Sequence, residues 1–404
     1  MANASSAATR RLKLLVLSST YPRWRGDHEP GFVHELSRRL ARDFDVIVIC
    51  PHAPGAASRE LLDGVDVRRY RYAPAALETL VQNGGIVNNL ARSRWKWLLV
   101  PGFLIAQAVA TWRCLRRDRP HAVHGHWLIP QGLLLAMLSL LMPRMPPFLL
   151  TSHGADLFSL RGFLADRARH WVTGRASAIT VVGAAMQQQL LRTGVDPAKV
   201  SVQPMGVDLQ ERFTPADVPR SPDELLFVGR LVEKKGLRHL LDALPLVRSW
   251  RPSVFLTIVG FGPEESQLRL QVERLGLQAH VHFVGAVAQD ELPMLYRRAA
   301  VFVAPFVEAR SGDQEGLGLV VLEAAACACP VVMSSLPSNP TLLSAFPEFQ
   351  ATPPGDPQAL ADAIRRQLER PVLPPRAALM QFDWQARALS YASLINEIVD
   401  QRGS

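Results

Sequence analysis

Cysteine is scarce in this sequence: four residues in 404, at Cys50, Cys114, Cys327 and Cys329. They form neither a paired framework nor a zinc spacing, which excludes a disulfide-stapled scaffold and fits a reducing cytosol. Long apolar runs are missing too. None reaches the roughly 18 residues of a membrane span, and the nearest, Gly132–Met142, is expected as a buried helix. Arg10–Leu17 has the look of a signal peptide, but its apolar run is too short and breaks at Ser18, so it reads as a first strand. The nine residues before it are expected to be disordered. Two nucleotide fingerprints are also absent. No G-x-G-x-x-G follows the first strand, and no G-x-x-x-x-G-K-[ST] occurs anywhere.

Acidic residues are few in one half only. Residues 1–205 hold 26 Lys and Arg against 13 Asp and Glu, whereas residues 206–404 hold 19 against 23. The basicity thus belongs to the first half, where nucleic acid, an anionic membrane surface or an acidic substrate would each account for it. With 48% hydrophobic and 20% charged residues, the chain is ordinary globular protein, long enough for two domains.

Apolar strands followed by helically spaced segments set the fold class. Leu12–Leu17, Asp45–Cys50, Ala122–Trp127, Phe148–Asp156, Ala178–Val182 and Val200–Pro204 read as strands of one parallel sheet, with helices over 32–41, 98–117 and 131–142. Met205–Arg220 is turn-rich and reads as a linker. A second sheet follows over Leu225–Arg230, Val254–Gly260, Val281–Gly285, Val301–Ala304 and Val331–Met333, and a late helix over 382–399. Residues 73–97 are a less regular insert that interleaves Arg92, Arg94 and Lys96 with Trp95 and Trp97.

Ligands bind at the carboxyl ends of strands in such sheets. His124, His126, His153 and Asp156 fall there in the first half. In the second, Gly229–Gly236 places Arg230 and Lys235 within reach of a common anion, and Gly260, Gly262 and Gly285 allow close approach of a ring or ribose. The fullest signal is Glu315-Gly316-Leu317-Gly318-Leu319, running into an alanine-rich segment that carries Glu323. Either this is a turn with two surface glutamates, or the amides of a helix N-terminus receive a phosphate while the carboxylates accept from sugar hydroxyls. Asp43-Phe44-Asp45 has the D-x-D pattern of a metal site but precedes its strand, at the opposite edge, and reads as structural; no metal is expected.

Taken together, VGRLVEKKG, IVGFGP, HFVGAV, EGLGLVVLEAAACACPVV and PPGDPQAL resemble the donor-binding domain of glycosyltransferase family 4, and STYPRW…PGFV, HGHWLIPQG, TSHGAD and QPMGVD resemble its N-terminal domain. The resemblance implies a GT-B fold: two Rossmann-like, doubly wound α/β domains facing across a cleft, residues 1–206 on the acceptor side and 207–381 on the donor side. It also implies a C-terminal helix, 382–404, crossing back to the first domain. It implies a retaining, metal-independent hexosyltransferase with a nucleotide diphosphate sugar as donor and no further cofactor. By that resemblance Arg230 and Lys235 bind the diphosphate, with the amides of Gly316, Leu317, Gly318 and Leu319 nearby. Glu323 holds the ribose, Glu315 contacts the transferred sugar, and His153 lies beside the reacting carbon. One departure is Ser335–Thr341, where family members commonly carry Gly-Gly-x-Pro-Glu.

A glycan or lipid-linked acceptor is expected, in envelope or exopolysaccharide synthesis, in the cytoplasm, with peripheral contact between the basic half and the inner leaflet and no nucleic acid. Two alternatives stand beside this reading. One is a non-hydrolysing sugar-nucleotide epimerase of the same fold, which needs an acid–base carboxylate pair that the first half does not plainly offer. The other is a basic membrane- or nucleic-acid-binding protein without activity.

Overall fold

The structure is a computed structural model and describes residues 11–27, 31–81, 85–158 and 162–403. The nine N-terminal residues expected to be disordered lie outside that set. The chain forms two open sheets. The first holds β1 (Leu12–Leu17), β2 (Phe44–Pro51), β3 (Arg59–Leu62), β4 (Val65–Tyr70), β5 (Ala122–His126), β6 (Phe148–Ser152), β7 (Ala178–Val181) and β8 (Val200–Val202), in the order β3-β4-β2-β1-β5-β6-β7-β8. Every pairing is parallel except β3 against β4. The second holds β9 (Glu224–Val228), β10 (Phe255–Val259), β11 (Val281–Gly285), β12 (Val301–Ala304), β13 (Val331–Ser334) and β14 (Gln350–Thr352), in the order β11-β10-β9-β12-β13-β14.

Why these segments pair is plain from their composition. β1, β9 and β12 are near-continuous Val, Leu, Phe or Ala runs, as strands covered by helices on both faces must be, while β5 and β6 begin apolar and end in His, Gly, Thr or Ser at their carboxyl ends. The strand order reverses between β1 and β5 and again between β9 and β12. Both reversals open a crevice at the carboxyl edge, and both crevices face the space between the sheets. The doubly wound expectation therefore holds for both sheets. The β3–β4 hairpin and β14 are additions to the elements read from sequence.

The C-terminal helix, Trp384–Gly403, packs on the helix Phe32–Leu40 and reaches β5 and β6, so the chain does cross back to the first sheet. Its entry is pinned by a short parallel bridge: the Val207 amide donates to the Phe382 carbonyl (2.9 Å) and the Trp384 amide to the Val207 carbonyl (3.1 Å). A side chain at Gly206 would meet the Trp384 indole at 2.6 Å, which explains a glycine there. Tyr391, fully buried, donates to the Gln203 carbonyl at 3.1 Å. One apolar core runs from the first sheet through the linker to one face of the second, and a separate core fills that sheet's other face.

Candidate active site

A cleft lies between the sheets, lined from both. Its second-sheet wall is made by Gly229 and Arg230 after β9, Gly260 and Phe261 after β10, and Leu319, Val320 and Glu323 on the helix Leu319–Ala326. Phe32 and Glu35 face them from the helix Phe32–Leu40, Asp208 from the linker and Trp384 from the start of the C-terminal helix.

Two loops of the donor wall are built as one unit. The Val307 amide donates to the Lys234 carbonyl (3.0 Å), and Lys234 Nζ pairs with Asp313 (3.1 Å). Gly236 has φ +67 and presses so closely on Pro305 that a Cβ would collide with its carbonyl oxygen. This register brings Lys235 Nζ to 2.8 Å from Glu315 Oε2, with the ammonium over the Phe306 ring at 4.9 Å. Burial alone would raise the Glu315 carboxyl. Lys235 and Lys234 outweigh it, the Gly318 N–H adds a hydrogen bond, and the group is held below the usual carboxylate range.

Glu323 behaves in the opposite way. It is buried on the helix, with the Tyr296 hydroxyl donating to Oε2 (2.9 Å) and the Gln289 amide to Oε1 (3.3 Å). Burial dominates and pushes its pKa up to about 7, against the smaller pull of Tyr296, Arg212 and Lys235. Two glutamates eight residues apart are thus in opposite states, one firmly ionised and one poised to titrate.

Across the cleft, His153 stacks on His126 (centroids 5.2 Å), with its Nε2 2.9 Å from His126 Nδ1. Phe32 and Trp127 flank the ring at 4.8 and 5.0 Å. Burial, with a smaller push from His124, lowers the His153 pKa to about 3, so the ring is neutral at physiological pH. A Cβ on Gly316 would lie 3.3 Å from the His153 carbonyl oxygen and 3.3 Å from Val182 Cγ2, so the Glu315–Gly316 loop and the His153 loop meet.

Several sequence readings are corrected by these positions. His124 is not at a ligand edge: it bonds Thr151 Oγ1 (2.7 Å) and lies against Tyr391, fully buried. Asp156 is spent on joining the segments that follow β5 and β6, accepting from the Leu128 amide (2.6 Å) and the Ser152 hydroxyl (2.8 Å). The amides of 316–319 are not uniformly bare, since that of Gly318 serves Glu315, and of the four residues only Leu319 lines the cleft. Gly260 and Gly262 are required by the Gly229 and Leu231 carbonyls packed against them, so protein backbone and not a ligand ring explains both. Lys235 is engaged with Glu315 and does not stand open beside Arg230.

The departing segment at 335–341 is tied down by Asn339, which accepts from the Leu336 amide (2.9 Å) and donates to the Ser334 carbonyl (3.0 Å). Sequence reasoning missed Glu35, Arg212 and Trp384. Glu35 is held by Arg38 and Arg39, and Arg212 lies 3.7 Å from Glu35 and 3.0 Å from Asp290 across the cleft. Helical spacing exposes an acidic residue but not its partner, so only proximity reveals this cluster. For Glu35 burial raises the pKa, but Arg39 and Arg38 prevail and keep it low, and Asp208 is kept low in the same way by backbone amides and Arg39. Neither is poised as a general acid.

Comparison with known proteins agrees with this architecture. Residues 32–211 match the family model for Glycosyltransferase Family 4, and residues 210–381 that for Glycosyl transferases group 1. The chain is 27% identical over 406 residues to a glycogen synthase of Mycobacterium tuberculosis, covering 95% of this chain and 94% of that one. It is 31% identical over 218 residues, 53% of each chain, to the amylovoran biosynthesis glycosyltransferase AmsK of Erwinia amylovora. Among solved structures, sucrose-phosphate synthase from Thermosynechococcus elongatus superimposes with a TM-score of 0.77 at 22% identity, covering 97% of this chain and 100% of that one. With one family model on each sheet and a GT-B architecture throughout, the chain belongs to glycosyltransferase family 4.

Proposed function

We propose that the cleft binds a nucleotide diphosphate sugar and transfers its hexose, with retention and without a metal ion, to a glycan or lipid-linked acceptor in envelope or exopolysaccharide synthesis. The observation that carries this reading is the donor wall: Gly229 and Arg230 on one side, Leu319, Val320 and Glu323 on the other, and the Lys235–Glu315 pair behind them. Residues 1–206 with 382–404 would form the acceptor domain and 207–381 the donor domain.

Arg230 would neutralise the diphosphate, and Lys235, paired with Glu315 behind it, would add its positive charge to the stabilisation of the charge that develops as the diphosphate leaves. Glu323 would accept from the ribose hydroxyls, and Glu315, kept ionised by Lys235, from hydroxyls of the transferred sugar. Retention is supported by what the acceptor side offers as a base. Glu35 and Asp208 are tied to arginines, and the neutral His153 has its Nε2 engaged with His126. The departing phosphate would then serve as base for the acceptor hydroxyl, with attack on the face the phosphate leaves. The polysaccharide-building relatives support a glycan product. A reducing, nucleotide-sugar-supplied compartment, the cytoplasm, suits four buried free thiols.

Donor turnover measured with UDP-, GDP- and ADP-hexoses, with and without glycan or polyprenyl-linked acceptors, tests this reading. An acceptor-dependent glycoside that keeps the donor's anomeric configuration in the presence of chelator supports it. Inversion, or epimerised donor as the product, overturns it.

A further inference from the structure

The helical stretch Arg94–Arg117 has the length and composition of a membrane-spanning segment, yet only a third of it is buried. Its two faces are inverted. The face toward the sheet carries Gln107 and Thr111 at zero exposure beside Leu99 and Phe103, while the outer face shows Leu98 at 81%, Ile105 at 64% and Trp112 at 44% exposed. Trp97 is 59% exposed at the N-terminal end. A helix facing water turns its polar residues outward. Beside it packs the helix Leu133–Leu141, which exposes Met137 and Leu140 and widens the apolar surface.

Charge around this surface is of one sign. Between Glu78 and Asp118 there is no acidic residue, and six basic ones occur: Arg92, Arg94, Lys96, Arg113, Arg116 and Arg117. Lys96 is not available, since its ammonium donates to the Thr79 carbonyl (2.9 Å) and Asn89 Oδ1 (2.8 Å). The five arginines are exposed and rim the apolar stripe at both ends. Arg116 lies over the Trp112 ring at 5.5 Å. Near this helix Asp66 and Asp118 are already paired with Arg68.

We propose that this face docks on an anionic lipid bilayer, with the apolar stripe at the headgroup–acyl boundary and the arginines among the headgroups. Tryptophan and arginine are the side chains that such a boundary favours. The orientation follows from the sheet: Gly102 lies against the Tyr72 carbonyl just past the carboxyl end of β4, and Asp118 pairs with Arg68 further back. Trp97 and Leu98 therefore stand at the edge where the cleft opens, and docking would bring the cleft mouth to the lipid surface. This surface lies apart from the donor pocket and stands whatever the acceptor is.

The test is co-sedimentation of the full chain with vesicles of phosphatidylcholine alone and of phosphatidylcholine with phosphatidylglycerol, at low and high salt. Binding is expected to the anionic vesicles and to fall as salt rises. Each arginine changed to glutamine among Arg113, Arg116 and Arg117 is expected to lower partitioning about fivefold. Ile105→Ser with Leu98→Ser is expected to lower it at every salt concentration, with circular dichroism and donor turnover in solution unchanged. Recovery in the supernatant with anionic vesicles at low salt overturns the proposal. So does equal binding by the variants, or a dimer in sedimentation velocity that the serine substitutions dissolve.

Discussion

Glu323→Gln isolates what burial of one carboxyl costs this fold. The side chain keeps its shape and keeps a carbonyl oxygen for the Tyr296 hydroxyl now 2.9 Å from Oε2. What it loses is the ability to ionise. Burial lifts the Glu323 pKa from its ordinary 4.5 to about 7. Below the lower value the group is protonated whether the chain is folded or not, and it contributes nothing to the pH dependence. Between the two values the unfolded chain releases a proton that the folded chain keeps, so stability falls as pH rises, by about 1.4 kcal/mol per pH unit. Above about 7 the loss levels off at a ceiling of about 3 kcal/mol.

Glu323→Gln should therefore match the wild type near pH 4 and exceed it by up to about 3 kcal/mol near pH 8. Urea unfolding of both proteins across that range measures the gap. A gap that does not open between those pH values, or a variant less stable at the alkaline end, refutes the argument. The same change should weaken nucleoside diphosphate binding about tenfold or more, because a hydrogen bond to a charged acceptor contributes about 1.5–3 kcal/mol. A residue whose removal stabilises the fold and damages binding is one kept for its chemistry.

Other outcomes follow from the same geometry. Arg230→Ala should cut turnover at least about tenfold with the fold intact, whereas Lys235→Ala should cut it further and also lower the unfolding midpoint, since Glu315 is left buried without its counter-ion; near-normal turnover in both removes the diphosphate assignment. Glu315→Ala should spare calorimetric affinity for free nucleoside diphosphate and impair transfer, and an affinity loss equal to that of Glu323→Ala shows the two roles misassigned. His153→Ala should lower kcat with little change in donor KM, and because the ring is already neutral, the pH profile between about 5 and 8 should keep its shape. Trp384→Ala should cost about 3–5 kcal/mol of stability, read by denaturant unfolding, because the indole fills the space Gly206 leaves open.

The fold was legible because period and punctuation agree along most of this chain. Apolar runs such as Leu225–Val228 and Val301–Ala304 end at Gly or Pro, and they appear as β9 and β12 within a residue or two. The β3–β4 hairpin was not legible, since Arg59–Tyr70 mixes six charges among its apolar positions and pairs on one side only. At the site, residue types were readable and partnerships were not. Arg230, Lys235, Glu315 and Glu323 stand out in sequence, but nothing in sequence states that Lys235 holds Glu315 or that Tyr296 holds Glu323. Those pairings depend on segments more than 25 residues apart converging, which only the assembled sheet decides. The outer stripe of Leu99–Arg117 was hidden for a related reason: its apolar pattern is helical whichever face looks inward.

The bridge between Val207 and Phe382–Trp384 has a mechanical consequence. The chain passes between the sheets twice, once outward through the linker and once on its return, and the two passes are hydrogen-bonded side by side at the floor of the cleft. A lone tether is a universal joint, about which two bodies can twist, slide and swing. Two tethers zipped together act as a piano hinge: swinging remains easy, while twist and slide must first tear the zipper. The jaws can then part far enough to admit a donor and come together again on the same line, with the His153 loop returning each time to the loop of Glu315.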